Sequence, residues 1–136
     1  MGVESGSAAI LREIRKGITR EDIRNAFSWA REAGLKRRGY FMIGSRSESL
    51  RTIRETEDLV DAIQPDSLAF TVLTPYPGCE EHERWKAQEG VDSVVWSDID
   101  LLETEAVMME TAHLSKEELK AEHHRLKEKY ASLWRR

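Results

Sequence analysis

The sequence contains a single cysteine, Cys79, in 136 residues. One thiol cannot close an internal disulfide, and unaided it cannot hold a zinc ion or an iron–sulfur cluster. No apolar run approaches the roughly 20 residues of a membrane span. Residues 1–20 lack the basic start and continuous apolar core of a secretory signal. An excess of positive charge is missing too: the formal net charge is −4, which argues against nucleic acid as the main partner. Two basic runs, "LKRRGY" from Leu35 to Tyr40 and "LWRR" at the C-terminus, read as a solvated loop and a frayed end. Of His82, His113, His123 and His124, the last two are adjacent, so they face different sides of a helix and do not readily share a ligand. The expectation is a soluble, cytoplasmic chain with no metal site of its own.

What is present is a chain long enough for one domain. It opens "MGVESGS", which reads as the last residues of a buried strand followed by a loop. In "AAILREIRKG", Ile10, Leu11 and Ile14 share one helical face, and Gly17 offers a left-handed stop. Thr19 and Asp22 are spaced as a capping box for a second helix. Its stripe is Ile23, Ala26, Phe27 and Ala30, and Gly34 ends it. "YFMIG" is an unbroken apolar run, which predicts a strand covered on both faces. A helix is expected from about Ser49 to Ile63, with Leu50, Ile53, Val60 and Ile63 inward and Pro65 as the stop. "SLAFTVL" predicts a second buried strand, and Pro77-Gly78 a type II turn.

A short helix over Glu80 to Glu89 follows. The last helix opens with Leu114-Ser115-Lys116-Glu117-Glu118-Leu119, a capping box with its staple, and carries Leu119, Leu126, Tyr130 and Leu133 as its stripe. Trp29, Trp85, Trp96 and Trp134 read as packing residues. Strands and helices alternate, which predicts a parallel sheet with right-handed crossovers. Only three strands are legible. Three cannot close a barrel, so the sheet is expected to keep an exposed edge.

Four stretches in this order, "GVESGS..IL..I.KGIT.EDI..AF..AREAGL", "GYFMIG…E", "LAFTVLTPYPGC" and "WSDIDL…T.HLSKEEL", resemble the C-terminal half of a radical S-adenosylmethionine (SAM) enzyme. The nearest branch is one whose members often carry a cobalamin-binding domain ahead of the barrel. The resemblance implies an α/β fold: half of a TIM-like barrel over residues 1–90, then a C-terminal extension over 91–136 ending in an amphipathic helix. In that family the strand before "ESGS" is the fourth of six. The earlier strands and the CxxxCxxC loop that binds the [4Fe–4S] cluster precede it. The chain is therefore expected to be part of a longer parent, whose N-terminal half is its first partner and whose cofactors are SAM and the cluster, with cobalamin a further one in the parent.

The same resemblance places SAM at the C-terminal ends of the strands, where α/β sheets and barrels put their sites. Glu4, with Ser5 and Ser7 beside it, stands at the end of the first strand, where a carboxylate can accept hydrogen bonds from a ribose or an ammonium group. The alternative for Glu4 is a helix N-terminal carboxylate. Met42, Ile43 and Gly44 would lie against the adenine. Where the family reads Leu-Pro-Gly-Glu-Thr, this chain reads Ser45-Arg46-Ser47-Glu48-Ser49, which loses the Pro-Gly turn and keeps Glu48 in register as a further cofactor-site candidate, the alternative being a first-turn carboxylate of the next helix. Leu73 and Thr74 would read the adenine edge through their backbones, with Tyr76 at the mouth. Against this enzymatic reading stand a free-standing α/β interaction module and, more remotely, a nucleic-acid binder. By itself the chain is expected to form a homodimer through its open edge or inner face, or else to fold the tail helix over that face.

Overall fold

The computed structural model describes residues 1–89 and 107–134. Three parallel strands form one sheet in the order β1 (Gly2–Glu4), β2 (Arg38–Ile43), β3 (Ser67–Val72). Helices α1 (Ala8–Glu13) and α2 (Arg20–Glu32) connect β1 to β2, and α3 (Leu50–Ile63) connects β2 to β3. Helices α4 (Glu80–Glu89) and α5 (Lys116–Lys129) follow. The expected domain boundary, Trp96 and the residues between 90 and 106 lie outside the described residues.

Local chemistry sets the helix ends. Thr19 and Asp22, Ser49 and Thr52, and Ser115 and Glu118 each form a reciprocal capping box, so two orphan donors are satisfied at each start. The first helix stops earlier than expected, because Arg15 takes the left-handed conformation (φ 53°) and Lys16 N–H returns to the Leu11 carbonyl at 2.9 Å. The turn at Pro77-Gly78 is closed by a Cys79 N–H to Tyr76 carbonyl bond of 3.2 Å, as read from the sequence.

The sheet departs from the sequence reading in one consequential way. Phe41 and Ile43 of β2, and Leu68, Phe70 and Val72 of β3, are buried, while Tyr40, just before Phe41, and Thr71, between Phe70 and Val72, are exposed. Successive strand side chains point to opposite faces, so only one face is covered. Phe27 of α2, Ile53, Leu59 and Val60 of α3, and Leu119 and Leu126 of α5 join that covered face in one core. The expected cover over both faces of "YFMIG" is thus corrected. So is the alternative expectation that the tail helix folds over the open face, because α5 packs on the same side as α3. Arg125 and Lys129 of α5 grip buried Glu57 of α3 at 2.8–3.0 Å, and Tyr130 Oη donates to Asp61 at 2.9 Å. Two further inward assignments fail: Leu50 is 44% and Trp29 65% exposed.

The outer edge of β3 is occupied by the tail. Leu68 N–H donates to the Leu133 carbonyl at 2.9 Å, beside a bridge between Leu68 and Trp134. The Phe70 carbonyl lies 3.0 Å from His123 Nε2, so the buried His123 serves the strand edge as a donor through that nitrogen. The outer edge of β1 carries no strand among the described residues.

Gly6 fixes the loop after β1. Its N–H donates to Thr56 Oγ1 at 2.9 Å, and a β-carbon there would lie 2.4 Å from the Glu55 carbonyl oxygen and 2.6 Å from Thr56 Cα. Those are backbone atoms of α3 and cannot swing away. Gly6→Ala is expected to cost about 2–3 kcal/mol in a urea titration. A wild-type midpoint would show that the loop can lift from α3 freely.

Candidate functional site

A cleft of about 430 Å³ opens at the C-terminal ends of β2 and β3. Met42 of β2 and Leu73 just past β3 line it, joined by Ile14 from the end of α1. Ser45 and Arg46, from the loop after β2, form a wall. Glu13 and Arg15 beside α1, and Cys79, Glu80 and Glu81 at the start of α4, surround the rest.

The loop of residues 44–48 is the hub of this arrangement. Gly44 turns it out of the strand with φ 94°, a conformation L side chains rarely adopt. A β-carbon there would also press on Val72 Cγ1 at 3.4 Å. From α1, the Glu13 carboxylate accepts the Ser47 N–H at 3.2 Å and the Ser47 hydroxyl. From α4, Glu80 and Glu81 accept Arg46 Nη2 at 3.0 and 2.8 Å. That hydrogen bond and the Arg46 charge hold the Glu80 carboxyl below its usual range. From the segment before α5, Ala112 N–H donates to the Arg46 carbonyl, and Thr111 Oγ1 to the Glu48 carbonyl, both at 2.9 Å.

Glu48 is the buried acid of the hub, 1% exposed. Burial pushes its carboxyl up to about 7, against the pull of the Thr52 hydroxyl and a Gly44 backbone hydrogen bond, with Glu13 and Glu55 adding to the rise. Desolvation therefore outweighs two hydrogen bonds that favour the anion. Its carboxyl is engaged inside the loop, by the Thr52 hydroxyl and the Gly44 backbone, and it holds the loop.

The other candidates fall in different places. Glu4 ends β1 in the left-handed conformation (φ 66°) and pairs with Lys16 Nζ at 2.9 Å, half-exposed. It lies at a strand end as expected, though not among the cleft-lining residues. Ser5 is buried, with its Oγ accepting the Ser7 N–H at 3.0 Å and 3.2 Å from Thr56 Oγ1, so its hydroxyl is spent on the loop. Ile43 points into the core. Thr74 is buried, with its hydroxyl on the Val72 carbonyl, and Tyr76 is exposed at the turn. Met42 and Leu73 are thus the two candidates that the fold brings together in the cleft. Ser45, Arg46 and Glu13 are additional lining residues with no signal in the sequence beyond the lost Pro-Gly turn. Among the described residues no group of three or more His, Cys, Asp or Glu side chains is placed to hold a metal ion. No helix among them is long and apolar enough to cross a membrane.

No family model matches the chain. Two curated proteins are similar to part of it. A protein of Pyrococcus horikoshii named as an uncharacterized methyltransferase is 38% identical over 77 residues, 57% of this chain and 17% of that protein. A protein of Methanocaldococcus jannaschii named as a methylthiotransferase is 30% identical over 79 residues, 58% of this chain and 18% of that protein. The matched stretch is therefore less than a fifth of either relative's length.

Proposed function

We propose that this chain is the C-terminal part of a parallel α/β barrel in a radical SAM enzyme, contributing the adenine and ribose side of the SAM site and a share of the substrate channel. The observation that carries this reading is the cleft at the C-terminal ends of β2 and β3, floored by Met42 and Leu73 and walled by a loop anchored from α1, from α4 and from the segment before α5. The similarity to proteins named as a methyltransferase and a methylthiotransferase supports it.

The residues present fit SAM. Met42 and Leu73 offer apolar surface for a purine, and Ser45 brings a hydroxyl without a partner. Glu4 offers a carboxylate at the neighbouring strand end once Lys16 releases it. When bound, SAM supplies an activated methyl or 5′-deoxyadenosyl group; the chain's own part is to seat the nucleoside and keep water from its face. The residues do not fit a [4Fe–4S] cluster. Cys79 is the sole thiol, and it is exposed at the turn before α4. In this reading the cluster ligands belong to the parent's other half.

Anaerobic reconstitution of this chain with ferrous iron and sulfide is therefore expected to leave it colourless. DNA upstream of the coding sequence is expected to contain an in-frame CxxxCxxC. A stoichiometric cluster on the isolated chain, or an upstream region coding for an unrelated protein, would sink the proposal. The second outcome would favour the stand-alone module, for which the open face around Tyr40 is the supporting observation.

A further inference from the structure

We infer that a separate cleft between α1 and α2 is a second ligand site, which takes the phosphate monoester of a small organic molecule: Arg12, Arg15 and Arg20 hold the phosphate, and Ile18 covers the apolar body. This cleft has a volume of about 770 Å³, with Ala8, Leu11, Gly17 and Ile18 as its apolar part. That is of small-molecule size. Arg15 is the one residue it shares with the cleft at the strand ends, so the inference does not rest on the nucleoside reading. The three guanidinium groups are uncommitted. Elsewhere Arg37, Arg46, Arg51, Arg84 and Arg125 each pair with an acid. Among the described residues Arg12, Arg15 and Arg20 form no ion pair and no side-chain hydrogen bond. The neighbouring acids are used: Asp22 accepts the Thr19 hydroxyl and N–H at 2.7 and 2.8 Å, and Glu13 accepts Ser47. Glu21 is the one acid in the lining, against three arginines. The Arg15 charge also reaches Glu80 across the boundary with the other cleft. Three like charges around one hollow repel each other, and an anion between them relieves that repulsion.

The contact groups are within reach of solvent. Arg12 and Arg15 are exposed and Arg20 half-buried. Ile18 is 36% exposed, and beside it a β-carbon on Gly17 would meet nothing within 4 Å. Leu11 is buried and closes the bottom. The chemistry of the lining selects the class of anion. A carboxylate is satisfied by one guanidinium through two parallel hydrogen bonds. A phosphate monoester carries roughly two negative charges and three acceptor oxygens, which calls for several forks at once. The amino end of α2, at Thr19 and Arg20, adds partial positive charge of the same sign. An exposed isoleucine beside the arginines favours an organic body over a bare ion, because burying it against apolar surface adds to the binding.

The test titrates the whole ¹⁵N-labelled chain with phenyl phosphate, inorganic phosphate and phenylacetate to millimolar concentration, at constant ionic strength. The amide signals of Gly17, Ile18, Thr19 and Arg20 should shift and saturate with phenyl phosphate, and less readily with the other two. Arg12→Gln and Arg20→Gln should each weaken phenyl phosphate about tenfold, the effect of losing a hydrogen bond to a charged group. Ile18→Ser should bring phenyl phosphate down to the affinity of inorganic phosphate. Arg54→Gln, on exposed α3 surface, removes the same charge elsewhere and should change nothing. Shifts that never saturate, or an equal loss in Arg54→Gln, would reduce the effect to general charge screening and overturn the site. Inorganic phosphate binding as tightly as phenyl phosphate would overturn the organic body, and phenylacetate binding as tightly would overturn the phosphate. The barrel proposal is decided separately, by the upstream sequence.

Discussion

Glu48→Gln is expected to stabilise the protein at pH 8 by about 3 kcal/mol and to leave it unchanged near pH 4.5, because a carboxyl at about 7 in the fold and about 4.5 unfolded differs by roughly 2.5 units. The sign follows from the proton count. Between those two values the folded chain holds a proton on Glu48 that the unfolded chain has released, so stability falls as pH rises. The contribution is fully present below about 4.5 and is lost as pH climbs through about 7. Glutamine keeps an oxygen for the Thr52 hydroxyl and cannot ionise between Glu13 and Glu55. Urea titrations at pH 5, 6, 7 and 8 read the effect directly. The wild-type midpoint should fall across the series relative to that of the variant. Parallel pH profiles for the two proteins would mean that Glu48 ionises freely and that water reaches it. The consequence for the site is specific: the loop that carries Ser45 and Arg46, and that docks Thr111, should be tightest when Glu48 is protonated.

Phe70→Ala is expected to cost about 3–5 kcal/mol, the upper range for an aromatic removed from a packed core. Phe70 is 2% exposed at the centre of β3. Its ring stacks on Phe41 at 5.0 Å, Tyr130 at 6.0 Å and Trp134 at 6.2 Å between centroids. Truncation removes a side chain that touches β2, the end of α5 and the tail together. The expected result is a large drop in urea midpoint, with Trp134 fluorescence changing before the far-ultraviolet helix signal. A loss below about 1.5 kcal/mol would show that Tyr130 and Trp134 collapse into the gap, as cores sometimes do.

The local parts of this fold were readable because their causes are local. A Ser or Thr with an acid three positions on is a capping-box signal readable from a short window, and Thr19 with Asp22 and Ser115 with Glu118 behave so. Met42 and Leu73 were singled out through the family resemblance as strand-end residues, and the fold lines the cleft with both. The misreadings come from relations no short window contains. "YFMIG" looks the same whether its two faces are covered or one is left open; Tyr40 and Met42 pay no composition penalty for facing out. Glu48 reads equally as a helix-start carboxylate, and its burial depends on the loop after β2 and on Thr111, 63 positions away. Ser45 is a serine in a polar loop until its exposure is known. His123 looks like one of two adjacent imidazoles, and only the sheet shows that it answers the Phe70 carbonyl.

The two sides of the sheet differ in a way that bears on symmetry. At β3, Leu133 and His123 satisfy the Leu68 and Phe70 backbone groups that a neighbouring strand would otherwise take. Of the two sheet margins, β1 is the one where no described residue takes that place. A chain able to accept a strand on one side only cannot propagate head to tail, since each added copy needs a donor margin and an acceptor margin. Two copies meeting β1 to β1 about a twofold axis would run antiparallel and consume both vacancies at once. Growth would then terminate at the pair, because the tail contacts around half-buried Trp134 already occupy the other margin.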